Sequence, residues 1–168
     1  RDNIAITQSC IVKIGDAPIF DADGNGVIHI TGDDLTVQFA ADSPALHGAK
    51  AGQLSGAFAG TGIAVTGHNV TIANAKVSGF KVGIHANKAD GLTIRDGDVS
   101  GNFAQRLKST PQAEDSSDWL WPHANDDNEW ITRYGAGLCV EDSDNVTLHD
   151  IRARRTQNGI ILDAVNDS

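Results

Sequence analysis

The feature that most constrains how this chain can fold is an internal repeat of about 22 residues. The repeating motif is a Gly-Ile pair, a turn rich in Gly, Asn and Asp, and then an apolar-Thr-apolar triplet. Val70 and Leu92 occupy the same place in two copies and are 22 positions apart, as are Gly137 and Gly159. An earlier copy that begins at Val27 matches a later segment at a constant offset of 35. This regularity indicates a repeat architecture in which each unit packs on its neighbours.

Each copy contains two or three short segments in which apolar and polar residues alternate. Such alternation is typical of strands, and one unit of this kind cannot bury its apolar side alone. A leucine-rich repeat has a similar length, but it would show Leu-dominated spacing and a helical half, which these Val-, Ile- and Thr-rich copies lack. We therefore predict an all-β fold, a right-handed single-stranded parallel β-helix with coils of about 22 residues, in one domain over residues 1–168. The side chains expected to point inward are Ile63, Val65, Val70, Ile72 and Val77, stacked above Ile84, Leu92, Ile94 and Val99.

Two segments interrupt the repeat. Residues 41–60 are rich in Ala and Gly and are predicted to form a loop. Residues 104–134 form a long lateral insertion that contains all three tryptophans and the one tyrosine. Insertions from a solenoid usually gather on one face, which is often the binding face. The last copy ends at residues 166–168 without an amphipathic cap, so we expect the chain to be the N-terminal part of a longer solenoid.

Charge and composition disfavour nucleic acid, a membrane-spanning helix, a disulfide and a transition-metal site. The formal charge of −9 disfavours nucleic acid, because it repels the phosphate backbone. No apolar run reaches the roughly 20 residues that a membrane-spanning helix needs. Cys10 and Cys139 are the only cysteines and lie several coils apart, so no disulfide is expected. The histidines are scattered, and His29, His68, His85 and His149 are expected at surface or corner positions rather than in a metal site.

Four further segments resemble a group of secreted bacterial right-handed parallel β-helix repeat proteins, within the pectin-lyase-like superfamily. This resemblance covers nearly the whole chain, and it implies a location outside the cytoplasm: secreted, periplasmic or on the cell surface. The superfamily implies a polysaccharide partner, commonly with lyase, epimerase or hydrolase chemistry, although it also includes non-catalytic proteins. The segments that carry the resemblance are residues 77–84, 105–110, 126–130 and 133–137.

Lyase or epimerase chemistry on a uronic acid needs a base and a cation that neutralises the carboxylate as the carbanion forms. Arg106, Lys108 and Arg133 are the candidates for these roles, with Tyr134 or His123 as the acid. The same side chains could instead hold the insertion through ion pairs with its own carboxylates. The alternative function is therefore a non-catalytic carbohydrate-binding or surface-structural module. The carboxylates in question are Glu114, Asp115, Asp126 and Asp127.

Aromatic and basic side chains supply candidate sugar-binding residues. Trp119, Trp121 and Trp130, with His123, could form a platform for pyranose rings, or they could be the private core of the insertion. Arg154 and Arg155, on the repeat that follows the insertion, give an acidic chain one basic patch that suits an anionic glycan or a solvated turn.

One segment has the opening spacing of a calcium loop. Asp21, Asp23 and Asn25 place oxygen atoms at positions 1, 3 and 5, and Gly26 follows at position 6. Position 12 is Gly32 rather than a bidentate Glu, so the same residues also suit a plain turn that leads into a strand at Val27. Calcium is the only cofactor that the sequence suggests.

Overall fold

The computed structural model describes residues 1–118 and 128–168. Strands dominate these ranges, and all pairings between the named strands are parallel, which confirms an all-β chain with parallel sheets. Short turns of helix occur at Ser55–Ala57 and Ser116–Asp118, which are 3₁₀, and at Trp130–Tyr134, which is one π-helical turn. The strands are β1 (Ile4–Ile6), β2 (Cys10–Val12), β3 (Ile28–Ile30), β4 (Thr36–Phe39), β5 (Leu46–His47), β6 (Thr61–Val65), β7 (Thr71–Ala73), β8 (Val77–Ser78), β9 (Val82–Asn87), β10 (Thr93–Asp98), β11 (Ala136–Asp144), β12 (Thr147–Arg152) and β13 (Ile160–Asn166).

Consecutive strands along the chain belong to different sheets. The six-stranded sheet has the order β1-β3-β6-β9-β11-β13, and the five-stranded sheet has the order β12-β10-β7-β4-β2. A third sheet contains only β5 and β8. Each sheet therefore receives one strand from successive repeats, and each repeat contributes to two or three sheets.

The strand register follows the alignment of the repeats in the sequence. Ile63 pairs with Ile84 in the six-stranded sheet, and Ile72 pairs with Ile94 in the five-stranded sheet. The offset of 35 is also a structural register, because Ile28 pairs with Ile63. Equivalent residues of successive repeats thus lie side by side, at the spacing of about 4.8 Å that separates hydrogen-bonded strands.

One continuous apolar core lies between the sheets. All nine residues predicted to point inward are no more than 1% exposed, which confirms their direction. Burial of a Val, Leu or Ile side chain contributes roughly 1.5–3 kcal/mol, so this stack is the main source of stability. Of the two cysteines, Cys10 lies in β2 of the five-stranded sheet and Cys139 in β11 of the six-stranded sheet, and the two are not bonded to each other.

The polar side chain of Asn102 is fully buried among these apolar groups. Its amide nitrogen donates to the carbonyl oxygens of Val77 at 3.0 Å and Val99 at 2.8 Å. Its amide oxygen accepts the N–H of Phe80 at 3.1 Å. Asn102 thus ties two successive repeats together at the point where the chain leaves the third side for the long insertion.

The two interruptions leave the repeat at equivalent places, immediately before a strand of the six-stranded sheet. They also contact each other, because Ser55 Oγ donates to the carbonyl oxygen of Ala104 at 3.0 Å. The loop predicted over residues 41–60 is too wide, since it includes β5, whose Leu46 is fully buried. The reason is that a two-residue strand is too short to give a visible alternation.

Candidate active site on the outer face of the six-stranded sheet

Polar side chains line up on the outer face of the six-stranded sheet, across β9, β11 and β13. Asn87 pairs with Glu141, and Glu141 pairs with Asp163, so the three residues form one row across the strands. A second row, two residues earlier, contains His85, Cys139 and Ile161. Because side chains alternate along a strand, both rows face away from the core.

Glu141 is the most enclosed carboxylate of this face, with a side chain only 11% exposed. Its Oε2 atom lies 2.7 Å from His85 Nε2 and accepts a longer hydrogen bond from Asn87 Nδ2 at 3.4 Å. An ionised carboxylate can only accept, so this arrangement requires the hydrogen of His85 on Nε2. These two contacts, at 2.7 and 3.4 Å, hold the Glu141 carboxylate in one position.

Cys139 lies beside these carboxylates, but its thiol is not a reactive group. Burial raises the pKa of its thiol to about 12, and the negative charges of Glu141 and Asp163 act in the same direction. The thiol therefore stays protonated near neutral pH and is no nucleophile. Instead it packs with Val82, Ala136 and Ile131 as the apolar part of the floor.

The π-helical turn Trp130–Tyr134 at the end of the insertion walls this face. Ile131 and Thr132 from the turn, with Asn128 before it, face Glu141 and Asp163 across a cleft of about 550 Å³. Single π-helical turns often mark functional positions. The described residues that line the cleft are Gly24, Thr61, His85, Asn87, Asn128, Ile131, Thr132, Glu141, Asp142 and Asp163.

Lys81 anchors the turn to the repeats. Its ammonium donates to the carbonyl oxygen of Arg133 at 2.8 Å and lies 3.3 Å from the centroid of the Phe103 ring. Partial burial lowers the pKa of Lys81. The position of the cleft wall thus depends on a contact with the repeat stack rather than on the insertion alone.

The two basic residues predicted at the start of the insertion do not reach this cleft. Arg106 is exposed and borders a recess of about 590 Å³ between the two interruptions, with Leu54 and Phe103. Lys108 Nζ donates to Ser117 Oγ at 3.3 Å. Backbone N–H groups of Lys108 and Ser109 bind the Asp118 carboxylate and lower its pKa to about 2, so this part of the insertion is organised by its own acidic side chain.

The other two predicted catalytic residues lie in the π-helical turn. The Arg133 guanidinium carbon is 5.3 Å from the centroid of the Tyr134 ring and is exposed. Tyr134 is 1% exposed, and its hydroxyl has no hydrogen-bond partner among the described residues. Tyr134 thus belongs to the turn that walls the cleft but is not among the residues that line it.

Of the predicted sugar-binding residues, only some fall in the described ranges. Trp119, Trp121 and His123 lie outside them. Trp130 is partly buried, with its ring centroid 5.9 Å from that of Tyr134, and borders a recess that also contains Asp163. That recess is the neighbour of the cleft, because Asp163 lines both.

Arg154 and Arg155 lie on a different side of the molecule. The carbonyl oxygen of Arg154 accepts the N–H of Gly101, beside the third sheet, and both arginine side chains are exposed. Arg155 borders a recess on this side with His47 and Ser100. Neither arginine is among the residues that line the Glu141 cleft.

The predicted calcium residues form a hydrogen-bonded turn. The Asp21 carboxylate accepts the N–H groups of Gly24 at 2.8 Å, Gly26 at 3.1 Å and Thr61 at 2.7 Å. The Asn25 side chain donates its Nδ2 to Asp23 Oδ2 at 2.8 Å, so its nitrogen rather than its oxygen faces that carboxylate.

A carboxylate oxygen from each of Asp2, Asp21 and Asp23 lies within 4.8 Å of the others. The carboxylate of Asp21 already binds three backbone N–H groups, which is the geometry of a turn. The calcium assignment therefore remains a prediction, with Asp2 as a residue that the spacing did not identify.

The residues at the centre of the cleft, His85, Glu141 and Asp163, were not identified as a site from the sequence. His85, predicted at a surface or corner position, lies on the outer face of the sheet and there binds the largely buried Glu141 carboxylate. The signal was nevertheless present in the repeat. When Gly83, Gly137 and Gly159 are aligned, Asn87, Glu141 and Asp163 occupy the same outward position in three successive copies.

Comparison of the chain with protein-family models, curated proteins and solved structures returns no match. In the described ranges, no helix has the length and apolar character needed to span a membrane.

Proposed function

We propose that this chain is a secreted right-handed parallel β-helix that binds polysaccharide and hydrolyses a glycosidic bond in the cleft around Glu141. The β-helical winding is supported by the strand order, since consecutive strands enter different sheets while equivalent strands of successive repeats pair in register. A right-handed path is the usual one for parallel strands joined by crossovers.

The observation that carries the proposal is the in-register pair of carboxylates, Glu141 and Asp163, with His85 bound to Glu141 at 2.7 Å. Hydrolysis of a glycosidic bond needs two carboxyl groups about 5–9.5 Å apart, and the shorter separations near 5–5.5 Å belong to retaining enzymes. Glu141 and Asp163 are paired on neighbouring strands and point to the same face, so their Cα atoms are separated by the strand spacing of about 4.8 Å. The pair therefore suits a retaining mechanism.

The surroundings of the pair suit a sugar. Ile131 provides an apolar surface for a pyranose face, while Asn87, Asn128 and Thr132 offer hydrogen bonds to hydroxyl groups. Ligand sites commonly combine such a surface with a few convergent polar groups.

The negative charge of the cleft favours hydrolysis over the uronate lyase or epimerase chemistry predicted from the insertion. Among the described residues that line the cleft there are three carboxylates, Glu141, Asp142 and Asp163, and neither Lys nor Arg. A uronate carboxylate would be repelled, and its developing carbanion would have no cation to stabilise it. The cleft therefore favours a neutral glycan.

The two carboxyl groups take different roles. Glu141, held by His85 and Asn87, attacks the anomeric carbon while Asp163 protonates the departing glycosidic oxygen, so one C–O bond breaks as a glycosyl ester forms. Asp163 then takes a proton from water, which attacks the same carbon and releases the Glu141 carboxylate. Asp163 thereby recovers the proton that it gave.

The test is an assay of the full chain on a panel of neutral and uronate-containing polysaccharides. Release of reducing ends measures hydrolysis, absorbance of an unsaturated product measures lyase activity, and NMR of the first product gives the anomeric configuration. We expect reducing ends from a neutral glycan, with retention of configuration. Glu141→Gln and Asp163→Asn should each lower the rate by about 10²–10⁴-fold.

Asp150→Asn is the matched control, because Asp150 is an exposed carboxylate on β12 of the five-stranded sheet and should leave the rate unchanged. Circular dichroism and thermal unfolding of each variant confirm that it folds. Glycan binding without product would overturn hydrolysis in favour of the non-catalytic module. An unsaturated product, or full activity in Glu141→Gln, would equally reject this site.

A further inference from the structure

A second recess, on the third side of the molecule, combines cationic and hydroxyl groups from four successive repeats. The pairing of β5 with β8 places His47 beside Ser78. Hydrogen bonds from Gly79 N to the Gly101 carbonyl and from Gly101 N to the Arg154 carbonyl then place Ser100 and Arg155 in the next two repeats. The recess has a volume of about 390 Å³ and does not share a lining residue with the Glu141 cleft.

The charge of this recess is opposite to that of the whole chain. Lys76 and Arg155 contribute two positive charges against one negative charge, from Asp98. Lys76 Nζ is held by hydrogen bonds to the carbonyl oxygens of Ala41 at 3.0 Å and Ser43 at 3.4 Å, which leaves Arg155 as the less constrained cation of the recess. Among the described residues, Arg155 has no ion-pair partner, although Asp98 lines the same recess.

Hydroxyl groups complete the floor. Ser100 Oγ accepts the N–H of Arg154 at 3.0 Å, which leaves the hydroxyl hydrogen for another acceptor. Ser78 Oγ lies 3.0 Å from His47 Nδ1, so a protonated Nδ1 would leave the Ser78 hydrogen available in the same way. A cation and two hydroxyl donors in one concave surface recognise an oxyanion.

We infer that this recess binds an anionic group, the sulfate or carboxylate of an acidic sugar or a free anion of the same chemistry, with Arg155 as the main contact. This inference does not depend on hydrolysis at Glu141, because the two sites lie on different sides of the molecule. It assigns Arg155, one of the two residues of the predicted basic patch, a specific ligand chemistry rather than a general attraction.

The test is an NMR titration of the ¹⁵N-labelled chain with sodium sulfate and separately with sodium acetate, against sodium chloride at equal ionic strength. We expect saturable shifts of the Ser78, Ser100 and Arg155 amides with at least one of the two oxyanions and not with chloride. A sulfated and a carboxylated disaccharide then identify which source of the anion binds more tightly.

Arg155→Gln should weaken this binding at least 5-fold, since it removes the unpaired charge while keeping a side chain of similar length. Arg154→Gln is the matched control, because the Arg154 side chain is exposed but does not line the recess, and it should change binding less than 2-fold. Equal losses in the two variants would overturn the site in favour of a diffuse electrostatic effect. Absence of saturable shifts with both oxyanions would also overturn it.

Discussion

The two faces of the six-stranded sheet carry side chains with different tasks. On β11, Leu138 and Val140 point inward and are fully buried in the main core. Between and beyond them, Cys139 and Glu141 point outward, toward the cleft wall formed by the insertion. At these positions the inner face consists of packed apolar side chains, whereas the outer face depends on which polar groups meet. Stability and chemistry can therefore be changed separately on one strand.

The largest effect on stability is expected from the inner face. Leu138→Ala removes a fully buried side chain and should lower the free energy of unfolding by about 2–5 kcal/mol. Leu162→Ala is the control on β13, where the side chain is 47% exposed, and it should cost well under half as much. Urea denaturation of both variants measures the difference. Equal losses would mean that the inner face is no more important than the sheet edge.

A polar residue on the inner side is expected to matter through its hydrogen bonds. Asn102→Ala leaves two carbonyl oxygens and one N–H unpaired in a buried position and should cost about 1–3 kcal/mol. Asn87→Ala, on the outer face, removes one hydrogen bond of 3.4 Å and should cost less than about 0.5 kcal/mol. Thermal unfolding compares the two, and a larger loss for Asn87 would contradict the assignment of faces.

Near neutral pH the smallest effect is expected at Cys139, because its contribution to stability changes only at alkaline pH. Because the pKa of Cys139 is raised to about 12 in the folded chain, its protonated form stabilises the fold below pH 9, and this contribution is lost as the pH rises from 9 toward 12. Cys139→Ser should therefore flatten the decline of stability over this range, measured by urea unfolding at several pH values.

Alkylation gives an independent measure of the same thiol. Iodoacetamide should label Cys10, which is partly exposed, faster than Cys139 in the folded chain, and both once the chain is unfolded. Cys10→Ser is the matched control and should leave the alkaline decline due to Cys139 in place. Rapid labelling of Cys139 in the native state would mean that the insertion does not cover this part of the outer face.

The inner face was predictable from the sequence because its signal repeats. Alternation and the spacing of 22 residues identified all nine inward residues correctly, and the offset of 35 gave the register of β3 with β6. The sheets themselves follow from that spacing.

The outer face was harder to predict, since a solvated polar row and an active site look alike in sequence. His85 and Glu141 are 56 residues apart, and only their meeting at 2.7 Å distinguishes a site from a surface. The insertion lacks periodicity, so its placement depends on individual contacts, such as the hydrogen bond from Lys81 to the carbonyl oxygen of Arg133, which no sequence pattern predicts.

The alternation of β11 has a consequence for how such a site can change over time. Deletion or insertion of a single residue within the strand would turn Glu141 inward and Val140 outward. The core would then contain a charged side chain in place of an apolar one. Such a one-residue shift would destabilise the fold before it affected catalysis. The outward residues can therefore change by substitution as long as the alternation along the strand is kept. Insertions and deletions are tolerated at the corners between strands, where the two interruptions already lie.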